Sequence, residues 1–155
     1  MINYHETKSQ PIARAMVAKA YHKVKSNKGS GGVDNMSWAD LDNDLDKHLY
    51  KLWNRLSSGS YFPLPVKEVE IAKKDGGIRK LGIPVILDRI AQEIVRVHLE
   101  RIVEPLFHDD SYGYRRGRSC QNAVDKALEN IMTHDWVIDL DIQSFFDTID
   151  HDLMM

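Results

Sequence analysis

The hydrophobic period of this chain switches from helical to extended just past SSGSYFPLP and returns to helical near Ile86, which confines it to a mixed fold. Val69 and Ile71 alternate with Glu68, Glu70 and Ala72, and a second short run, IRKLGIP, follows the turn formers Asp75, Gly76 and Gly77. Alternation of period two around such residues predicts an antiparallel β-hairpin. Upstream, Ser37 and Asp40 form an N-terminal cap signature, and Leu41, Leu45, Leu49, Leu52, Trp53 and Leu56 follow at spacings of three and four, predicting one helix. Residues 11–25 place Ile12, Met16, Ala20 and Val24 on a helical face, with Pro11 tolerated in the first turn. Residues 86–107 carry a broad apolar band through Ile90, Ile94, Val97, Leu99, Ile102 and Val103, so a long and largely buried helix closed by Pro105 is expected. A further helix over 119–132 leads into WVIDLDI, which reads as a buried strand. The fold class is therefore α+β, mainly helical, with one antiparallel hairpin and a final strand.

At 155 residues and 43% apolar composition, the chain has material for one modest core, or for one piece of a larger protein. No apolar run is long enough to span a bilayer, and MINYHETKSQ lacks the apolar stretch of a secretory signal. A single cysteine, Cys120, fits a reducing compartment. A soluble, cytoplasmic protein with no membrane partner is expected. The net charge of −2 conceals an uneven distribution: residues 1–36 carry +4, residues 37–60 carry −1, residues 61–118 carry +2 and residues 119–155 carry −7. Bases at the front suit phosphates and carboxylates at the tail suit cations, although composition alone favours an ordinary solvated surface. SNKGSGGVDN, with Gly29, Gly31 and Gly32, is a loop between helices.

Three segments hold residues of possible chemical use. In VIDLDIQSFFDTID, Asp139 and Asp141 stand two apart on the expected strand and share a face. Carboxylates at a buried strand end need compensation, and Mg²⁺ takes one or two carboxylates together with substrate phosphates. Phe146, five residues beyond Asp141, would then reach the sugar side of a metal-held nucleotide. Spacing alone favours the plainer alternative, in which the aspartates cap a strand end and Phe145 and Phe146 are core. In KKDGGIRK, a three-residue loop would place Lys73 with Arg79 on one face, whereas a two-residue loop would bring Lys74 to the Arg79 face. Charge at a hairpin tip also serves solvation and edge protection. SYGYRRGRS gathers Tyr112, Tyr114, Arg115, Arg116 and Arg118, a mixture suited to single-stranded nucleic acid, though its tyrosines serve equally as core anchors. The seven histidines show no zinc-ligand spacing.

Taken in order, NKGSGGVDNMSWADL, PVKEVEIAKKDGGIRKLGIPVILDRIAQEIV, SYGYRRGRSCQNAV and WVIDLDIQSFFDTIDH resemble the opening blocks of bacterial group II intron reverse transcriptases, or intron maturases. The resemblance runs from about Lys8 to Leu153, and the LGIP and SYGYRRGRS blocks are its most specific parts. It implies an N-terminal extension helix and glycine loop over 1–36, fingers over 37–135 and the start of a palm over 136–155. By the same resemblance Asp141 matches the first catalytic aspartate, a ligand of two Mg²⁺ ions that the Ile142 carbonyl assists. Phe146 matches the position that screens the 2′ side of the sugar, and Lys73 and Arg79 match the residues that hold the incoming triphosphate. Lys28, Tyr114, Arg115, Arg116 and Arg118 fall in segments expected to contact RNA. Arg116 stands where the family often has proline, and residues 118–120 read RSC with small variation among relatives.

Family members continue into a later turn with two adjacent aspartates, a thumb and a maturation domain, none of which lies within these 155 residues. Two-metal phosphoryl transfer needs carboxylates on both sides of the ions. The expectation is an N-terminal part of an RNA-directed DNA polymerase that binds intron or template RNA, primer DNA and dNTP, with two Mg²⁺ ions held only in a complete enzyme and no polymerisation by this chain alone. An RNA-binding or homodimerising module without catalysis is the alternative. An aspartate-nucleophile phosphatase would also use D-x-D, but Gln143 stands where a small hydroxyl residue is usual and no long α/β domain follows.

Overall fold

A computed structural model describes residues 11–74 and 76–154 of the chain; within it, the side chains of Phe146, Asp147, His151 and Met154 lie outside the described residues, as does all of Asp75. The chain divides into two compact units, one ending at Pro105 and the other beginning at Leu106.

The first unit is a helical core with a hairpin projecting from it. Helix α1, Arg14–Ser26, buries Val17, Ala20, Tyr21 and Val24; Ala20 and Val24 belong to the expected face, of which Ile12 and Met16 are only partly buried, and Pro11 precedes the helix. The single helix expected after Ser37 is two, α2 at Trp38–Asn43 and α3 at Leu45–Ser57. The start is as expected: Ser37 and Asp40 form a reciprocal capping box. The break falls at Asp44, after Asp42 and Asn43, residues whose short polar side chains compete with the helical backbone. Helix α4, Ile86–Val103, supplies Ile86, Ile90, Ala91 and Ile94, which pack with the buried face of α1 and with Leu41 and Leu52 in one cluster. Each fully buried valine, leucine or isoleucine side chain there contributes about 1.5–3 kcal/mol.

The expected burial of α4 holds only for its first half. Val95, Leu99 and Ile102 are exposed among the described residues; the helix ends at Val103, just before Pro105 as expected, and Pro105 sits in the 3₁₀ turn Glu104–Leu106 that follows. An apolar band fixes which face seeks cover, but neighbouring elements decide how much of it is covered.

The glycine segment is not a slack loop. A Cβ on Gly32 would stand 2.6 Å from Val85 Cα, and one on Gly31 would stand 2.6 Å from the Met36 carbonyl oxygen. Trp38 donates its indole N–H to the Gly29 carbonyl at 2.8 Å, and the Arg89 guanidinium donates to the Ser30 carbonyl. Gly32 thus permits backbone approach to the start of α4, and Gly31 to the chain at Met36, ahead of α2.

Strands β1, Lys67–Ala72, and β2, Ile78–Ile83, pair antiparallel with Lys67 opposite Ile83 and Ala72 opposite Ile78. Lys73 N–H donates to the Gly77 carbonyl at 2.7 Å and Gly76 N–H to the Lys73 carbonyl at 3.2 Å, with Gly76 at φ +84°. This tight turn, whose left-handed position suits glycine, closes the ladder.

In the second unit α5, Cys120–Ile131, opens on another capping box, Ser119 with Asn122, and is followed by two short helices, α6 at Phe145–Thr148 and α7 at His151–Met154. The strand expected at WVIDLDI is absent: residues 136–142 join no sheet among the described residues, and Trp136 and Leu140 are 89% and 87% exposed. A strand exists through its neighbours' hydrogen bonds, and this apolar run has no sheet partner there. The fold class is α+β, largely helical with one antiparallel sheet.

The close approach of Gly32 to Val85 should make Gly32→Ala cost about 1–3 kcal/mol by overpacking. Gly113→Ala, where an added Cβ meets nothing within 4 Å, should leave the urea midpoint nearly unchanged.

Candidate nucleic-acid interface

The hairpin register determines what its faces present. Arg79 lies opposite Ile71. Side chains two residues apart share a face, so Lys73, at the turn, joins Ile71 and Arg79. The register is shifted by two residues from the pairing of Lys73 with Arg79 expected for a loop at 75–77, and because a shift of two preserves alternation the two cations still share a face. Both are exposed, and neither has a side-chain hydrogen bond or ion pair with a described residue. The opposite face holds Glu68 and Glu70 with Lys80, whose ammonium lies 2.9 Å from Glu68. One face is thus cationic and, among the described residues, unspent, while the other is mainly acidic with Lys80 paired to Glu68.

The hairpin's root depends on a residue that spacing did not single out. Asp88, in the first turn of α4, is 4% exposed. It accepts a hydrogen bond from the Tyr61 hydroxyl and one at 3.0 Å from the Leu64 N–H. Burial, and then the bond to Asp88, hold the Tyr61 phenol far above its ordinary pKa, so it remains a donor. The available signal was a lone carboxylate in the first turn of an apolar helix, where the dipole favours negative charge. Next to it, Arg89 grips the glycine segment; burial lowers its pKa, against the raising effect of Asp34. Lys28, at φ +48°, stands exposed at the end of α1, near this anchored segment.

In the second unit the arginine-rich loop separates into different tasks. Arg115 stacks 5.1 Å from the Phe107 ring centroid and donates to the carbonyls of His108 at 2.7 Å and Ser111 at 2.9 Å. That guanidinium organises its own loop. Arg118 lies 5.4 Å from the Tyr112 ring centroid and 3.9 Å from an Asp109 carboxylate oxygen. Tyr112 thus has an internal partner, whereas Tyr114 is fully exposed at φ +58°, an unusual backbone for an aromatic residue. Arg116 lies in the same loop.

Asp139, Asp141 and Ile142 are exposed on the unpaired segment before α6, and Ser144 at φ +52° turns the chain into that helix. Phe146 begins the second residue of α6, and its side chain lies outside the described residues. Among the described residues no three His, Cys, Asp or Glu side chains come together as a metal site. An aspartate pair has the hard oxygen donors Mg²⁺ prefers, but supplies a partial set.

A family model described as reverse transcriptase (RNA-dependent DNA polymerase) matches residues 71–155, which defines the class. Among curated proteins, the chain is 38% identical over 136 residues to the group II intron-encoded protein LtrA of Lactococcus lactis subsp. cremoris, covering 85% of this chain and 22% of that protein. It is 38% identical over 147 residues to protein YkfC of Escherichia coli (strain K12), covering 90% of this chain and 38% of the relative. It is 33% identical over 140 residues to the putative COX1/OXI3 intron 1 protein of Saccharomyces cerevisiae, covering 90% and 17%. The chain belongs to the reverse transcriptase family, in its group II intron reverse transcriptase and maturase branch. It spans about a fifth of the lactococcal protein's length and under two fifths of the Escherichia coli protein's.

Because Arg115 is spent on its own loop, Arg115→Ala should speed amide hydrogen exchange over residues 107–118. Tyr114→Ala, which removes an exposed ring, should leave that exchange unchanged.

Proposed function

We propose that this chain forms the template- and nucleotide-contacting part of an RNA-directed DNA polymerase, with an extension over 1–36, fingers over 37–135 and the beginning of a palm from 136 to 155. The observation that carries the reading is the hairpin face on which Lys73 and Arg79 stand together with no side-chain partner among the described residues, in a chain of the reverse transcriptase family. Two cations on one face suit a triphosphate: their charge is not neutralised by a described residue, and arginine offers a forked donor. The acidic opposite face disfavours phosphate there.

The exposed Tyr114 ring offers a stacking surface for an unpaired base, while Arg116, Arg118 and Lys28 supply charge for RNA phosphates. Arg115 acts on RNA through the loop it holds. Asp141, with the Ile142 carbonyl, is the candidate ligand for Mg²⁺, which when bound polarises phosphate oxygens. Phe146 would stand on the sugar side. The described residues bring no second group of carboxylates to Asp141, so the chain is inactive in polymerisation by itself, and two ions belong to a complete palm. Its partners are intron or template RNA, primer DNA and dNTP, in the cytoplasm; among the described residues no helix is long and apolar enough to cross a membrane.

A homodimeric reading has its own observation. Val124, Leu128 and Ile131 form an exposed stripe on α5, and Trp136, Ile138 and Leu140 are exposed beyond it. Sedimentation at rising protein concentration tests it: a dimer is the expected species, and a monomer throughout contradicts it.

Two further experiments separate the nucleic-acid functions. In primer extension with RNA template, dNTPs and Mg²⁺, the purified chain should give no product; product that disappears in Asp141→Asn would contradict the account. In fluorescence titration with single-stranded RNA, Tyr114→Ala should weaken binding by about 1–3 kcal/mol, the range for loss of base stacking. Tyr114→Phe should bind as the native chain does, and loss of binding on both substitutions would rule out ring stacking.

A further inference from the structure

We propose that Asp88 is a positioning residue that clamps the root of the hairpin and thereby sets the face bearing Lys73 and Arg79. The proposal rests on the reading of that face as a triphosphate site.

The hairpin cannot set its own orientation. Its residues are exposed or at most half-buried, and a two-stranded sheet alone is marginal in water. Its attitude is therefore decided where the strands meet the helical core. On the exit side, β2 runs through Pro84 into Val85 and Ile86, both buried, so this root is continuous with α4.

The entry side has no such covalent tie. Phe62, Leu64 and Val66 are exposed, so apolar burial does not hold residues 62–66 against the core. The attachment is polar: one Asp88 carboxylate oxygen takes the Tyr61 hydroxyl and the other takes the Leu64 N–H at 3.0 Å. Pro63 and Pro65 flank that anchored residue. Proline fixes its own φ and restricts the residue before it, so an anchor at Leu64 transmits direction stiffly to Lys67. Gly82 makes the final crossing close, since a Cβ there would stand 2.7 Å from a Val66 methyl carbon.

A buried carboxylate is costly unless its oxygens are paired. Here both have partners, and the helix N-terminus adds a favourable field. The raised Tyr61 phenol keeps its proton, so the clamp persists through neutral and mildly alkaline solution. One side chain thus ties the entry root of the hairpin to the same helical turn into which the exit root runs.

The test compares the full chain with Asp88→Asn and the milder Tyr61→Phe, each first shown by circular dichroism to be folded. Three readouts are needed: amide exchange over 67–83, affinity for dGTP with Mg²⁺, and affinity for a single-stranded RNA oligonucleotide. The expected result is faster hairpin exchange and dGTP binding weakened about tenfold, as a preorganised site loses its preset geometry, with RNA affinity unchanged. Unchanged hairpin exchange in both variants would overturn the proposal, and so would faster exchange with unaltered dGTP affinity. A native chain that binds no dGTP refutes the triphosphate reading instead; hairpin exchange in the two variants then decides the clamp by itself. Equal losses of dGTP and RNA affinity indicate a general structural role and count against it.

Discussion

The packing of α1 against the first half of α4 is the interaction on which the first unit depends. Val17, Ala20, Tyr21 and Val24 share a core with Ile86, Ile90, Ala91 and Ile94, and Leu41 and Leu52 close it from α2 and α3. That core fixes the first turn of α4, and two consecutive residues of that turn serve two different connections. Asp88 holds the segment before the hairpin, while Arg89 holds the glycine segment. Hydrophobic burial supplies the stability, and the adjacent polar pair gives direction to loops that burial does not reach.

The contact surfaces follow from which charges are already spent. Lys80 is paired with Glu68 and Lys25 with Asp42 at 2.6 Å, and the Arg115 guanidinium lies on carbonyls and a ring. Lys25 is raised and Asp42 lowered in pKa, each chiefly by hydrogen bonding to the other. Lys73 and Arg79 have no comparable claim among the described residues. A cation without an internal acceptor keeps its donors for phosphate, which is why the two hairpin faces are assigned opposite roles.

Much of this arrangement was legible from residues alone. Period two at 68–72 and the turn formers gave the hairpin, Ser37 with Asp40 gave a capping box, and alternation survived a register error of two residues. The break at Asp44 was not foreseen because leucine spacing continued through it, although Asp42, Asn43 and Asp44 carried the local signal against helix. The glycines were read only as a loop, whereas Gly32 is required by close approach to Val85, a residue distant in sequence. Asp88 was missed for the same reason: its partners lie 24 and 27 positions away. At 137–142 an apolar run was read as a strand, but a strand depends on a neighbour that local sequence does not reveal. The roles of Asp141 and Phe146 rest on resemblance rather than on assembled geometry.

The central claim is that one hairpin face receives a nucleoside triphosphate. Nuclear magnetic resonance titration of the isotope-labelled chain with dGTP and Mg²⁺ tests it most directly. The account predicts perturbations centred on Ile71, Lys73 and Arg79, with Glu68, Glu70 and Lys80 little moved. Perturbations centred on the acidic face, or an unchanged pattern after Lys73→Ala and Arg79→Ala together, would contradict it.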